Sequence, residues 1–139
     1  MITPAEIDRF VAEAYPAMAK SGVRCVEAEE GRVEVVWPYD ETQLRPGSYI
    51  SGVTQFALAD AALWFATFTV VGLEAMAVTT DVQITFLRPA RGGDLRAVAE
   101  VISVGRARIH GDVRLWVGDA RDRLVSHVSG TYALPAPPS

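Results

Sequence analysis

Asp60 is the one ionisable side chain in the otherwise apolar run SGVTQFALADAALWFATFTVVG, Ser51–Gly72. At helical spacing it shares a face with Val53, Phe56, Ala57, Leu63, Trp64 and Thr67. An unpaired carboxylate among such neighbours costs on the order of several kcal/mol. It must be hydrogen-bonded, protonated, or turned towards a cleft that water or substrate enters. Backbone donors or a Thr hydroxyl on a neighbouring strand would make Asp60 purely structural. A cleft would make it a general base or a nucleophile. Ser51 is a second possible nucleophile, but the only histidines, His110 and His127, sit in strand-like runs and no G-x-S-x-G elbow is present. Cys25 is the lone cysteine and has no metal-ligand spacing around it, so neither a disulfide nor a metal site is expected.

The elements around Asp60 follow from periodicity. Ser51–Gly72 has helical length, and its alanines at 57, 59, 61, 62 and 66 let another backbone come close, which suits a helix wrapped by a sheet. Thr54, Gln55, Asp60, Thr67 and Thr69 interrupt it and no Lys or Arg flanks it closely, so the helix is read as a core element and not a membrane span. Upstream, Thr3-Pro4-Ala5-Glu6 reads as a capping box opening a helix to about Ala14, which Pro16 ends or kinks. Gly22–Glu29 and Arg32–Pro38 read as a hairpin turning at Glu30-Gly31, and Tyr39–Ile50 as a loop. Past Gly72 the period becomes two. Val78–Phe86, Leu95–Val101, Ala107–Val117 and Leu124–Leu134 are expected as four antiparallel strands in a meander, with turns at Pro89–Gly93, Gly105 and Gly118–Asp122.

The 139 residues make one α+β domain, with N-terminal helical structure in residues 1–20 and a solvated, flexible tail at 135–139. A helix buried this fully wants cover on more than one side, which points to a partner subunit. The net charge of −4 argues against nucleic acid and anionic membrane as partners, since both demand a basic surface. The single cysteine suits a reducing compartment, and MITPAEIDRF lacks the basic start and apolar run of a signal peptide. A cytoplasmic protein is expected.

Two stretches carry a resemblance. G-x-x-x-F-x-L-A-D-x-A, beginning at Gly52, and V-T-x-D-x-x-x-x-F-L-R-P-A-R-G-G-D, Val78–Asp94, are similar to the phenylacetic-acid-degradation type of acyl-CoA thioesterase. The resemblance spans roughly Gly22–Leu134 and implies the hotdog fold, a curled antiparallel sheet around a long central helix. It also implies a homodimer or a dimer of dimers, an acyl-CoA substrate and no cofactor. Position by position, the family's catalytic acid falls on Asp60, its oxyanion-binding backbone N–H on Gly52, and the hydroxyl that holds the attacking water on Thr79. The reactive groups of that family meet across a dimer interface, so Thr79 is expected from the other subunit. A helix N-terminus suits a developing oxyanion in any case, because its N–H groups are unpaired and its potential is positive.

The chain departs from the family where H-G-G becomes Ser51-Gly52-Val53 and where a frequent Asn becomes Arg45. Asn donates and accepts, whereas Arg only donates and is charged. Arg45 and Ser51 are therefore candidate substrate-binding positions, and their identities motivate an alternative: a non-catalytic hotdog protein that binds acyl-CoA or acts as a structural partner. Phe56 and Trp64 are candidates for an apolar or aromatic acyl pocket. Arg88 and Arg91, with Arg106 and Arg108, are candidates for the phosphates of coenzyme A.

Overall fold

A computed structural model describes residues 1–136; residues 137–139 of the expected tail lie outside the described residues. The capping box forms as read: Thr3 Oγ1 accepts the Glu6 N–H at 3.2 Å and Glu6 Oε1 accepts the Thr3 N–H at 3.2 Å. It opens α1 (Pro4–Ala14), whose buried side chains are Ile7 and Val11. Pro16 ends that helix and also opens another, α2 (Pro16–Lys20), because proline is pre-shaped for a first helical turn. The Asp8 carboxylate accepts the Cys25 N–H at 2.8 Å and ties α1 to β1 (Arg24–Glu29). Burial raises the Asp8 carboxyl above its ordinary value, and burial followed by the Asp8 charge pushes the Cys25 thiol up to about 12.

β1 pairs with β2 (Arg32–Trp37) in the expected hairpin. The segment read as a loop holds a 3-10 turn at Glu41–Gln43 and a small ribbon of β3 (Leu44–Arg45) and β4 (Tyr49–Ile50). Then comes α3 (Gly52–Val71), capped by Ser51, whose Oγ accepts the Thr54 N–H at 3.2 Å, and closed by Gly72 at φ 93°. The strands β5 (Val78–Phe86), β6 (Leu95–Val104), β7 (Arg108–Val117) and β8 (Ser126–Ala133) follow.

The meander expectation is corrected in one place. The antiparallel six-stranded sheet has the order β1-β2-β6-β7-β8-β5, so β6, β7 and β8 are consecutive neighbours but β5 is not beside β6. The segment from Leu87 to Asp94 carries the chain across instead of making a tight turn, β2 takes the edge of β6, and β5 pairs with β8. Period-two patterning states which face a residue occupies, not which strand lies beside it. The crossing decides the site, because it brings β5 beside the C-terminal strand.

The sheet curls around α3 as the hotdog fold requires. α3 has the length and apolarity of a membrane span, yet here it is the core: Leu58, Ala59, Ala62, Ala66 and Phe68 are completely buried. Gly111 and Gly130 face one another across β7 and β8, directly under Leu63. A Cβ at Gly130 would lie 2.9 Å from Leu63 Cδ2, and one at Gly111 would collide with Leu63 and come within 2.8 Å of the Glu100 carbonyl oxygen. The glycine pair therefore sets how closely the helix approaches the sheet, and with it the depth of Asp60. Phe10 from α1 closes the far half of α3 through an edge contact with Phe68, ring centroids 5.3 Å apart.

The outer face of the sheet carries a buried carboxylate. Glu34 on β2 is 3% exposed and is held by Arg121 at 2.8 Å and Arg96 at 3.5 Å. Arg121 also lies 4.4 Å over the Trp116 ring.

Candidate active site

Asp60 lies in the third turn of α3, where the sheet meets the helix. Its Oδ1 accepts two hydrogen bonds, from the Tyr132 hydroxyl at 2.6 Å and from Thr79 Oγ1 at 2.7 Å. The Tyr132 hydroxyl also lies 2.9 Å from the Asp60 carbonyl oxygen. Among the described residues, Oδ2 accepts no hydrogen bond and no cation pairs with the carboxylate. Tyr132 is 4% exposed; burial, and then the charge on Asp60, push its phenol well above the ordinary range, so it remains a proton donor.

Strand pairing explains this convergence. Thr79 on β5 and Tyr132 on β8 are register partners, and the register shifts between Thr79 and Asp81, leaving Thr80 as the extra residue of a bulge. The expectation that Thr79 comes from another subunit is thus corrected: Thr79 of the same chain bonds Asp60, because β5 crosses to the edge of β8. The Thr-hydroxyl partner considered for a structural Asp60 is present too, but it occupies only one of the two carboxylate oxygens.

Beside Asp60 opens a cavity of about 320 Å³, walled mainly by Tyr15, Met18, Ala61, Trp64, Met76 and Val78. Trp64, expected in an acyl pocket, is one wall of this cavity. Phe56 is 40% exposed and lines neither this cavity nor the grooves described next. Leu63 and Phe65 are buried core residues.

Gly52 opens α3, and its N–H and that of Val53 have no partner among the described residues. A Cβ there would stand 2.7 Å from Phe86 Cζ, the far end of a half-exposed side chain that would have to swing aside to admit it. A groove of about 630 Å³ runs past Gly52, Arg45, Gln55, Phe86 and Arg88. Arg88 and Pro89 also line a second groove of about 500 Å³ that holds Arg91 and Arg123. Arg88 donates to the Leu124 carbonyl at 2.9 Å, and Arg91 lies 5.2 Å over the Tyr49 ring. Ser51 spends its hydroxyl on capping. Arg106 and Arg108 are separated from these grooves by the length of the β6–β7 hairpin, about 30 Å for ten residues at strand rise.

Two site residues escaped the sequence reading, Tyr132 and Arg123. Arg123 stands just beyond a segment read only as a turn. Tyr132 did leave a signal: Val128, Gly130 and Tyr132 alternate inwards, a buried tyrosine hydroxyl needs a partner, and Asp60 is the only carboxylate on the helix that β8 faces.

Comparison with known proteins agrees with this fold. A protein of Thermoplasma volcanium named as a candidate esterase is 28% identical over 105 residues, covering 76% of this chain and 77% of the relative. The crystal structure of a candidate thioesterase from a Silicibacter species superposes with a TM-score of 0.87 at 25% identity, over 98% of this chain and 94% of that one. The Escherichia coli PaaI protein of the phenylacetic acid degradation operon shares the fold, with a TM-score of 0.79 at 23% identity over 97% of each chain. The model of the thioesterase superfamily matches residues 47–123. The chain belongs to the thioesterase superfamily.

Proposed function

We propose that this protein is an acyl-CoA thioesterase in which Asp60 activates water. The observation that carries the reading is the state of Asp60: a carboxylate held on one oxygen by two neutral hydroxyls and, among the described residues, answered by no cation and unclaimed on its other oxygen, beside an apolar cavity. In this reading Oδ2 takes a proton from water as the water oxygen attacks the thioester carbonyl. The tetrahedral intermediate then expels the thiolate of coenzyme A, which takes up the proton, leaving the free acid. Direct attack by Asp60 through a mixed anhydride would use the same oxygen, and solvent ¹⁸O appearing in Asp60 separates the two routes.

The cavity walls suit an aromatic or medium-chain acyl group, since most of the lining is apolar, with Asp60, Thr79, the Tyr15 and Tyr132 hydroxyls and the Trp64 indole N–H, unpaired among the described residues, as its polar side-chain groups. The arginines 45, 88, 91 and 123 along the two grooves suit the phosphates of coenzyme A. Gly52 and Asp60 are eight residues apart, about 12 Å along one helix, too far to act on one carbonyl. The oxyanion donor is therefore assigned to Gly52 of a second copy. Two features support a homodimer or a dimer of dimers: β5 is an edge strand ending in the half-exposed Phe86, and Val53 is 80% exposed at the start of α3. A cytoplasmic location with its CoA ester completes the reading.

The test is thiol release from short, medium, long and aromatic acyl-CoAs by wild type and Asp60→Asn. Hydrolysis by wild type that vanishes in the variant is expected. Full activity in the variant would sink the assignment. Tight ester binding without release would establish the non-catalytic alternative, which the capping role of Ser51 and the charge of Arg45 favour.

A further inference from the structure

We propose that Tyr132 is a positioning residue for Asp60: together with Thr79 it occupies Oδ1, and so makes Oδ2 the oxygen that meets water. The inference rests on the thioesterase reading and adds to it a residue from the last strand. The phenol has a single proton and two acceptors, Oδ1 at 2.6 Å and the carbonyl oxygen of the same residue at 2.9 Å. It thereby fixes the side chain of Asp60 against its own main chain. A guanidinium would serve this purpose badly, because its fork engages both carboxylate oxygens at once. A phenol and an alcohol can each hold one oxygen and leave the other free.

Thr79 completes the arrangement. Having given its proton to Oδ1, its oxygen keeps only acceptor capacity. A water lodged between Thr79 Oγ1 and Asp60 Oδ2 would give a hydrogen bond to each and turn a lone pair towards the acyl cavity. Tyr132 borders the acyl cavity, but its one hydroxyl proton is engaged by Asp60, so its influence on the water passes through Asp60. Its hydroxyl also retains its proton throughout the working range, because burial and the neighbouring negative charge oppose ionisation. The donor therefore does not compete with Asp60 as a base.

The experiment compares Tyr132→Phe, Thr79→Val and Thr131→Val with wild type and Asp60→Asn in kcat, KM and thermal unfolding. Thr131 is the control: a buried hydroxyl in the same strand, bonded to His110 Nδ1 at 2.8 Å and without contact to Asp60. Removing the phenolic hydroxyl is expected to lower kcat by roughly 10- to 100-fold with KM nearly constant, as fits loss of a hydrogen bond to a charged group. Thr131→Val should lose stability but keep wild-type kcat, and Tyr132→Phe/Thr79→Val should approach the level of Asp60→Asn. An undiminished kcat in Tyr132→Phe, or an equal loss in Thr131→Val, would overturn the proposal. If Tyr132→Phe does not fold, 3-fluorotyrosine in place of Tyr132 keeps ring and hydroxyl while altering donor strength, and an unchanged kcat there also refutes it. Wild type that releases thiol from no ester removes the thioesterase reading and this inference with it. Active wild type, inactive Asp60→Asn and fully active Tyr132→Phe removes the role of Tyr132 alone.

Discussion

Glu34 is buried and Asp60 half-buried, and the two carboxylates are answered in opposite ways. Glu34, on the outer face of the sheet, is gripped by Arg121 and Arg96, and Arg121 lies in turn over Trp116. Asp60, on the inner side, meets among the described residues only the hydroxyls of Tyr132 and Thr79, both on a single oxygen. A cation satisfies a carboxylate fully and leaves it nothing to do beyond holding the loop after β7 against β2. Two neutral donors occupy one oxygen and leave the other without a partner among the described residues. Burial alone therefore does not mark a working acid; the chemistry of its partners does.

Exchange of each carboxylate gives the sharpest contrast. Asp60→Asn should lower thiol release by about 10³-fold or more while the melting temperature stays near that of wild type. Glu34→Ala should do the reverse, costing about 1–3 kcal/mol in denaturant unfolding with kcat unchanged; both arginines are partly exposed and recover water, which keeps the loss below that of a fully enclosed pair. Catalytic loss in the Glu34 variant, or unfolding of the Asp60 variant, would erase the distinction.

Alkaline pH sharpens it further, because guanidinium keeps its charge where phenol and thiol do not. The Tyr132 phenol is raised from 10.0 and the Cys25 thiol from 9.0 to about 12. For raised groups, the stability is fully present below the unfolded value and is lost as pH rises. Unfolding free energy should therefore fall from about pH 9 upwards, each group adding a slope of about 1.4 kcal/mol per pH unit, within its own window. Cys25→Ala should remove the earlier part of that slope and Tyr132→Phe the later part, while Glu34→Ala, which takes away one small cause of the Cys25 shift, leaves the Tyr132 part in place. The smallest effect belongs to the groove: Arg123→Ala should raise KM for CoA esters by about two- to fivefold without altering kcat, in keeping with one solvent-exposed ion pair.

Much of this was legible in the residues. The capping box, the hairpin, the long apolar helix and the inward faces of β7 and β8 all follow from local spacing, and Asp60 is conspicuous because nothing else on α3 is charged. What did not show is pairing at a distance. That β5 reaches β8 depends on where the chain after Phe86 can cross a sheet already packed on a helix. Tyr132 meets Asp60 from 72 positions away, and Glu34 meets Arg121 from 87; no local pattern records such partners. The bulge at Thr80 was likewise hidden, because its one-residue slip becomes visible only against the register of β8.

The span between Gly52 and Asp60 has a genetic consequence. If each site takes its carboxylate from one copy and its oxyanion donor from another, a mutation at either position disables both sites of a dimer, but different sites can be repaired by different partners. Gly52→Pro removes the N–H at a position where proline suits the first helical turn, and Asp60→Asn removes the base. Neither chain should release thiol alone. Unfolded together and refolded as a mixture, they should regain activity, because a hybrid dimer holds one site with both groups intact and one with neither.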